Sequence, residues 1–240
     1  MHIKHGVIGH RGASAYAPEN TFAAFKQALV LGCNCIEFDV MLSADAEPFV
    51  FHDELLDRTT NGKGGVGLVN ATYLESLDAG IWFSQSFAGE KIPHFRDILL
   101  WLIENKVNAN IEIKPYPGTS EQTTEVVLDY LNRLWPKDKK LPLISSFDLT
   151  VLMLCQSQAP YMPLGLLLDA WEDFWLEKAQ ALNCFSVHIN ELALNIHRVQ
   201  EIKKHGYQLY VYTVNNKDRA KELLSWGVDA IFSDYPDLLS

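Results

Sequence analysis

The chain repeats one pattern, a short apolar run followed by a longer stretch with apolar positions three and four apart. VIGH (7–10), CIEFDVML (35–42), NANIEIK (108–114), LISSF (143–147), PLGLLL (163–168), CFSVHI (184–189), QLYVYTV (208–214) and DAIFSD (229–234) read as strands. Helical spacing follows the first at Phe22, Phe25, Ala28 and Leu29 and occupies FRDILLWLIENK. It recurs at roughly 119–135, 148–157, 170–182, 195–205 and 217–225. Strands alternating with helices imply a parallel sheet, because each parallel return needs about a helix's length of chain. Eight such units predict an α/β fold closed as a (β/α)8 TIM barrel, with an open doubly wound sheet as the alternative. A chain of 240 residues suits one such domain, so residues 1–240 are expected to form a single TIM-barrel domain.

PFVFHD (48–53) stands outside the series. Only the turn SADAE separates it from the preceding strand, too little for a parallel crossover. It is expected to fold back as an antiparallel hairpin that brings His52 opposite residues 38–39. From 53 to about 92 the chain is rich in Gly, Asn and Thr and lacks barrel periodicity. This stretch is expected to be a small insertion after the second strand, lying over the C-terminal face of the barrel.

The second strand carries a puzzle. Side chains alternate along a strand, so Ile36, Phe38 and Val40 share one face and Glu37 and Asp39 the other. In NANIEIK, Ile111 and Ile113 likewise oppose Glu112 and Lys114. If the isoleucines meet the helices, three carboxylates point inward together, and burying them unpaired costs several kcal/mol each. A hard divalent cation, Mg2+ or Ca2+, suits such oxygen-only ligands. Zinc suits them less, since no cysteine is near.

Other strands also end in polar residues, among them His10, the serines 145–146, His188, Thr213 and Asp234. Barrels of this class react at the C-terminal ends of their strands. His10 ends a strand before Arg11-Gly12, and His52 returns on the hairpin. Two histidines can act as acid and base across one reacting centre. Arg11, through its planar fork, and Lys114, as a point charge, can grip an anion. His2, His5, His94, His197 and His205 read as surface or loop positions, and His188 is left outside the candidate set. APENT reads as capping at a helix N-terminus, which could add to phosphate binding.

A net charge of −10 argues against a nucleic-acid or anionic-membrane binder. The N-terminus shows no leader pattern, and no apolar run reaches the ~20 residues of a membrane helix. Four cysteines without zinc-like spacing read as reduced thiols. A cytoplasmic protein without stable membrane association is expected, and one compatible with a homo-oligomer.

HRGASAYAPENT, IEFDV, FVFHDELLDRTTNG and IEIK, in this order, closely resemble the glycerophosphodiester phosphodiesterase family. The resemblance extends to the closing GVDAIFSDYPD. It implies a distorted (β/α)8 barrel and hydrolysis of glycerophosphodiesters, such as glycerophosphocholine or glycerophosphoethanolamine, to sn-glycerol 3-phosphate and an alcohol. Glu37, Asp39 and Glu112 match the family's metal ligands, and Glu37 is also placed beside the substrate. His10 and His52 match its acid/base pair, with His10 expected as base and His52 as acid, while Arg11 and Lys114 match its phosphate-holding residues. Water or the glycerol 2-hydroxyl is left open as nucleophile. Tyr212 stands where many relatives carry Trp. A lysophospholipase D-like phosphodiesterase on the same barrel and a non-catalytic phosphate-ester binding protein are the alternatives.

Overall fold

A computed structural model describes residue 3 and residues 6–240; His2 and His5 lie outside the described residues. Strand β1 (Val7–Gly9) leads to helix α1 (Phe22–Val30), then β2 (Cys35–Leu42) and the short β3 (Pro48–Val50). After the excursion, which contains helix α2 (Ala71–Ser76), come α3 (Phe95–Asn105), β4 (Asn108–Ile113), α4 (Ser120–Leu134) and β5 (Leu143–Ser146). The chain continues through α5 (Leu149–Gln158), β6 (Leu164–Leu168), α6 (Trp175–Ala181), β7 (Ser186–Asn190), α7 (Ile196–Lys204), β8 (Gln208–Tyr212), α8 (Lys217–Trp226) and β9 (Ala230–Ser233).

Strand β1 pairs in parallel with both β2 and β9, which closes an eight-stranded parallel barrel. The fold is a (β/α)8 TIM barrel with β3 added antiparallel to β2. The barrel strands begin within two residues of their expected positions. The last two helices also match closely, but the stretch expected to be helical from 170 becomes helix only at Trp175. No side chain caps α6 upstream, and Trp171 instead packs on Trp175 and Arg198. At α1 the expected capping holds, with Thr21 Oγ1 accepting from the Ala24 amide.

The alternation on β2 resolves as the pattern required. Ile36, Phe38 and Val40 are fully buried toward the helices, where the Phe38 ring lies 5.7 Å from Phe25 and 6.4 Å from Phe95. Removing such a ring from water stabilises the fold by roughly 2–3 kcal/mol. Glu37 and Asp39 therefore face the barrel interior, as does Glu112, which stands opposite Asp39 in the β2–β4 register. All four cysteines are buried, and none forms a disulfide.

His188 belongs to the interior packing. Its Nε2 meets Ser186 Oγ at 2.8 Å, and its ring lies against Tyr210 and Phe232. Gly165 makes room for it: a Cβ there would stand 2.7 Å from the imidazole. Burial pushes this imidazole down to about 3, whereas an unfolded histidine titrates near ~6.5. The unfolded chain therefore binds the extra proton between these values. The contribution to stability is full above about pH 6.5 and falls as pH drops toward 3, over a span worth roughly 4–5 kcal/mol. Urea midpoints at pH 7 and pH 4 should thus diverge less for His188→Gln than for the natural chain. Equal divergence in both would refute the assignment.

Candidate active site

The C-terminal ends of the strands surround a cavity of about 400 Å³ lined by the charged His10, Arg11, Glu37, Asp39, His52 and Glu112 and by the apolar or aromatic Phe147, Leu167, Leu192, Tyr212 and Phe232. Asn110, Asn190, Glu191 and Thr213 complete the lining.

Glu37, Asp39 and Glu112 are all buried, and each offers an oxygen within 4.8 Å of the others'. The turn after β1 supports them. Arg11 adopts a left-handed backbone (φ 54), which turns its amide onto Glu37 Oε2 at 2.9 Å. Gly12 follows at φ 88 and must be glycine, because a Cβ would meet Ala24 at 2.8 Å. Asn20 Nδ2 donates to Asp39 Oδ2 at 2.9 Å, and Arg11 Nε stands 3.6 Å from the same oxygen with no hydrogen-bond partner.

This charge balance is unfinished. Burial first, then repulsion from Asp39, pushes the Glu112 carboxyl up to about 8. The same causes, with Glu112 added, push Glu37 well above the usual carboxylate range. Asp39 goes the other way: His52, Arg11 and Lys114 outweigh its burial and hold it low. Three converging buried carboxylates with an all-oxygen donor set fit a divalent cation, whose charge offsets their mutual repulsion.

Both histidines are held by carboxylates. His10 Nδ1 donates to Asp234 Oδ1 at 2.7 Å, and Asp234 also accepts from Ser14 (2.9 Å) and Asn215 (2.6 Å). Burial raises the Asp234 carboxyl, but these donors outweigh it and bring it down to about 2. His52 arrives on the hairpin, whose register pairs Val40 with Val50 and sets the Phe51 amide on Asp39 O at 3.1 Å. Its Nδ1 donates to Asp53 Oδ1 at 2.6 Å, and its Nε2 accepts from Lys114 Nζ at 2.6 Å. Burial lowers the His52 pKa; Asp39 opposes that, and Arg11 and Lys114 add to it.

A model of the glycerophosphoryl diester phosphodiesterase family matches residues 10–238. The chain belongs to this family. It is accordingly an enzyme, a hydrolase of phosphoric diesters. Among its relatives, a glycerophosphodiester phosphodiesterase of Caldanaerobacter subterraneus subsp. tengcongensis is 36% identical over 97% of this chain and 95% of that protein. An Oleispira antarctica phosphodiesterase, solved with the product sn-glycerol-3-phosphate, superposes with a TM-score of 0.93 at 36% identity, covering 96% of this chain and 93% of that one. The glycerophosphodiester phosphodiesterase of Agrobacterium tumefaciens gives 0.79 at 31% identity over 97% of each chain.

The structure brings together His10, Arg11, Glu37, Asp39, His52 and Glu112 around this family member's cavity, with Lys114 reaching it through His52. The α1 N-terminus is otherwise engaged, its Ala23 amide being taken by Glu90. Tyr212 forms part of the apolar wall, its hydroxyl bound to Leu168 O and its ring edge-on to Phe147 at 6.0 Å. Sequence reasoning missed Glu19, Asp53 and Arg58 and gave Asp234 no partner. Arg58 donates to both Asp53 and Glu19, and Glu19 also receives Arg11 at 2.6 Å. The His-Asp dipeptide at 52–53 and the APENT stretch that holds Glu19 were the local signals among these.

No described helix is long and apolar enough to cross a membrane.

Proposed function

We propose that the chain hydrolyses glycerophosphodiesters, of which glycerophosphocholine and glycerophosphoethanolamine are examples, to sn-glycerol 3-phosphate and an alcohol, acting as a cytoplasmic enzyme. The observation that carries this reading is one cavity faced by three converging carboxylates and by two histidines, each fixed on its own carboxylate. The product in the Oleispira antarctica relative supports a glycerophosphate-bearing small molecule as substrate.

Glu37, Asp39 and Glu112 would hold the cation, Mg2+ or Ca2+ by their hard oxygen donors. When bound, it supplies charge neutralisation at the phosphate oxygens and a seat for a glycerol hydroxyl. Arg11, with an unpartnered Nε, and Lys114 bind the phosphate anion. His10, its Nδ1 proton committed to Asp234, keeps Nε2 as the acceptor for the nucleophile's proton. His52 returns a proton to the departing alcohol. Its Nδ1 proton is held by Asp53, and its Nε2 faces the Lys114 ammonium at 2.6 Å, which can pass Nε2 the proton that the ring then hands to the alcohol. The excursion over 53–92 forms one domain with the barrel, a reading supported by Asp53 and Arg58 tying it to His52 and Glu19.

A coupled assay for glycerol 3-phosphate, run across several alcohol head groups, tests the proposal. Release from water-soluble diesters is expected, and its absence under any divalent cation sinks it. The apolar wall favours one second reading. Phe147 is 46% exposed and Leu192 89% exposed, so lysophosphatidylcholine belongs in the same assay. Turnover of it exceeding that of glycerophosphocholine would move the substrate class to lysophospholipids.

A further inference from the structure

Arg58 lies outside the cavity yet is bonded to both of its charged flanks. Its Nε and Nη2 donate to the two oxygens of Asp53 at 2.6 and 2.9 Å. Its Nη1 and Nη2 donate to the two oxygens of Glu19 at 2.6 and 2.8 Å. Asp53 in turn holds His52, and Glu19 holds Arg11. The outcome is one unbroken series of charge-assisted bonds, running Arg11, Glu19, Arg58, Asp53, His52, Lys114.

Stability alone is a weak ground for this arrangement. The Arg58 side chain is 46% exposed, and ion pairs at such sites contribute about 0–1 kcal/mol. Orientation does account for it. A carboxylate bonded only to His52 could turn about its own axis and present either oxygen at many angles. A guanidinium bonded to both oxygens fixes its plane, which a lysine, as a point charge, cannot do. The outer face of Asp53 is thereby filled, leaving the Oδ1 contact to the imidazole as the geometry that survives. Burial raises the Asp53 carboxyl, but the bonds from Arg58 and His52 outweigh this and hold it far below the usual carboxylate range. Asp53 is thus anionic wherever the enzyme works.

We propose that Arg58 is a positioning residue for the reaction: through Asp53 it holds the His52 ring with Nδ1 protonated and Nε2 turned to Lys114 and the cavity, and through Glu19 it ties that ring's placement to Arg11. The inference rests on the acid–base reading of His52. It also gives the excursion a part in the chemistry, since Arg58 comes from it while Glu19 and Arg11 come from the β1–α1 connection.

The test is a double-mutant cycle on kcat for glycerol 3-phosphate release, with KM measured alongside. Arg58→Ala is expected to lower kcat by on the order of 10- to 100-fold, the usual size for a group one step behind a functional ligand. In a His52→Ala background the same substitution is expected to cost less than about threefold, because the ring it positions is gone. Guanidinium ion should restore part of the Arg58→Ala activity, and none in the double variant. Equal losses in the two backgrounds overturn the inference, since a clamp that merely holds the excursion in place damages both alike. Unchanged kcat in Arg58→Ala overturns it too. Arg58→Lys, which keeps the charge and loses the fork, runs through the same cycle and carries the test if the alanine variant does not fold. If His52→Ala alone keeps normal turnover, the acid–base reading fails, and it does so before Arg58 enters.

Discussion

His10→Ala and His52→Ala are each expected to lose about two to four decades of kcat on glycerophosphocholine, the ordinary worth of a positioned acid or base. Substrate binding should survive in both, because Arg11, Lys114 and the three carboxylates remain. The two losses should then separate when the leaving alcohol is changed. With a p-nitrophenyl ester the departing group needs no proton, so His52→Ala should recover at least ~10-fold relative to the natural chain. His10→Ala should recover nothing, since activating the nucleophile is unaffected by the leaving group. The opposite pattern would exchange the roles of the two rings. Near-normal turnover in either variant would remove that histidine from the chemistry.

Much of this arrangement was legible because it follows from period and reach. The two-residue alternation of β2 and β4 assigns Glu37, Asp39 and Glu112 to one face without knowledge of any partner. A four- or five-residue return leaves a hairpin as the sole outcome, and the hairpin delivers His52. What holds the histidines was not legible in the same way. His10 and Asp234 are 224 residues apart in sequence, and they meet only because barrel closure sets β1 beside β9. Arg58 and Glu19 are 39 apart and lie in connections without periodicity, where no pattern says which way a side chain points. Asp53 follows His52 directly, yet adjacency on an extended chain normally separates two side chains. Only because the strand ends at Val50 can the chain turn so that both reach the same site. The helix expected over 170–182 starts late for a related reason: Trp171 packs on Trp175 and Arg198 before the helix begins at Trp175.

Removing divalent cation with EDTA should abolish turnover and lower the melting temperature, and adding Mg2+ or Ca2+ should restore both. The physical ground is the set of three buried carboxylates. Without a cation, burial and Asp39 hold Glu112 up at about 8, against 4.5 for the free side chain, and Glu37 is raised likewise. The folded values lie above the unfolded ones, so the metal-free fold binds the extra protons. The stability from Glu112 is full below about pH 4.5 and is lost as pH rises through about 8, and Glu37 acts in the same direction. A bound cation keeps the carboxylates ionised and cancels that slope. The stabilisation by cation should therefore grow with pH. At a free concentration of ~100 Kd it should reach about 2.7 kcal/mol, or about 5–10 °C for a chain of this size. The window from pH 6.5 to 8 isolates the effect, because the opposite slope of His188 lies below it. Glu112→Gln makes the test specific. It fixes this position as neutral at every pH, so the metal-free protein should hold or gain stability, lose its response to cation and fall by on the order of three decades in kcat. A melting temperature and a turnover both indifferent to EDTA would mean that the cluster balances its charges internally, and the hydrolytic mechanism would have to be built without it.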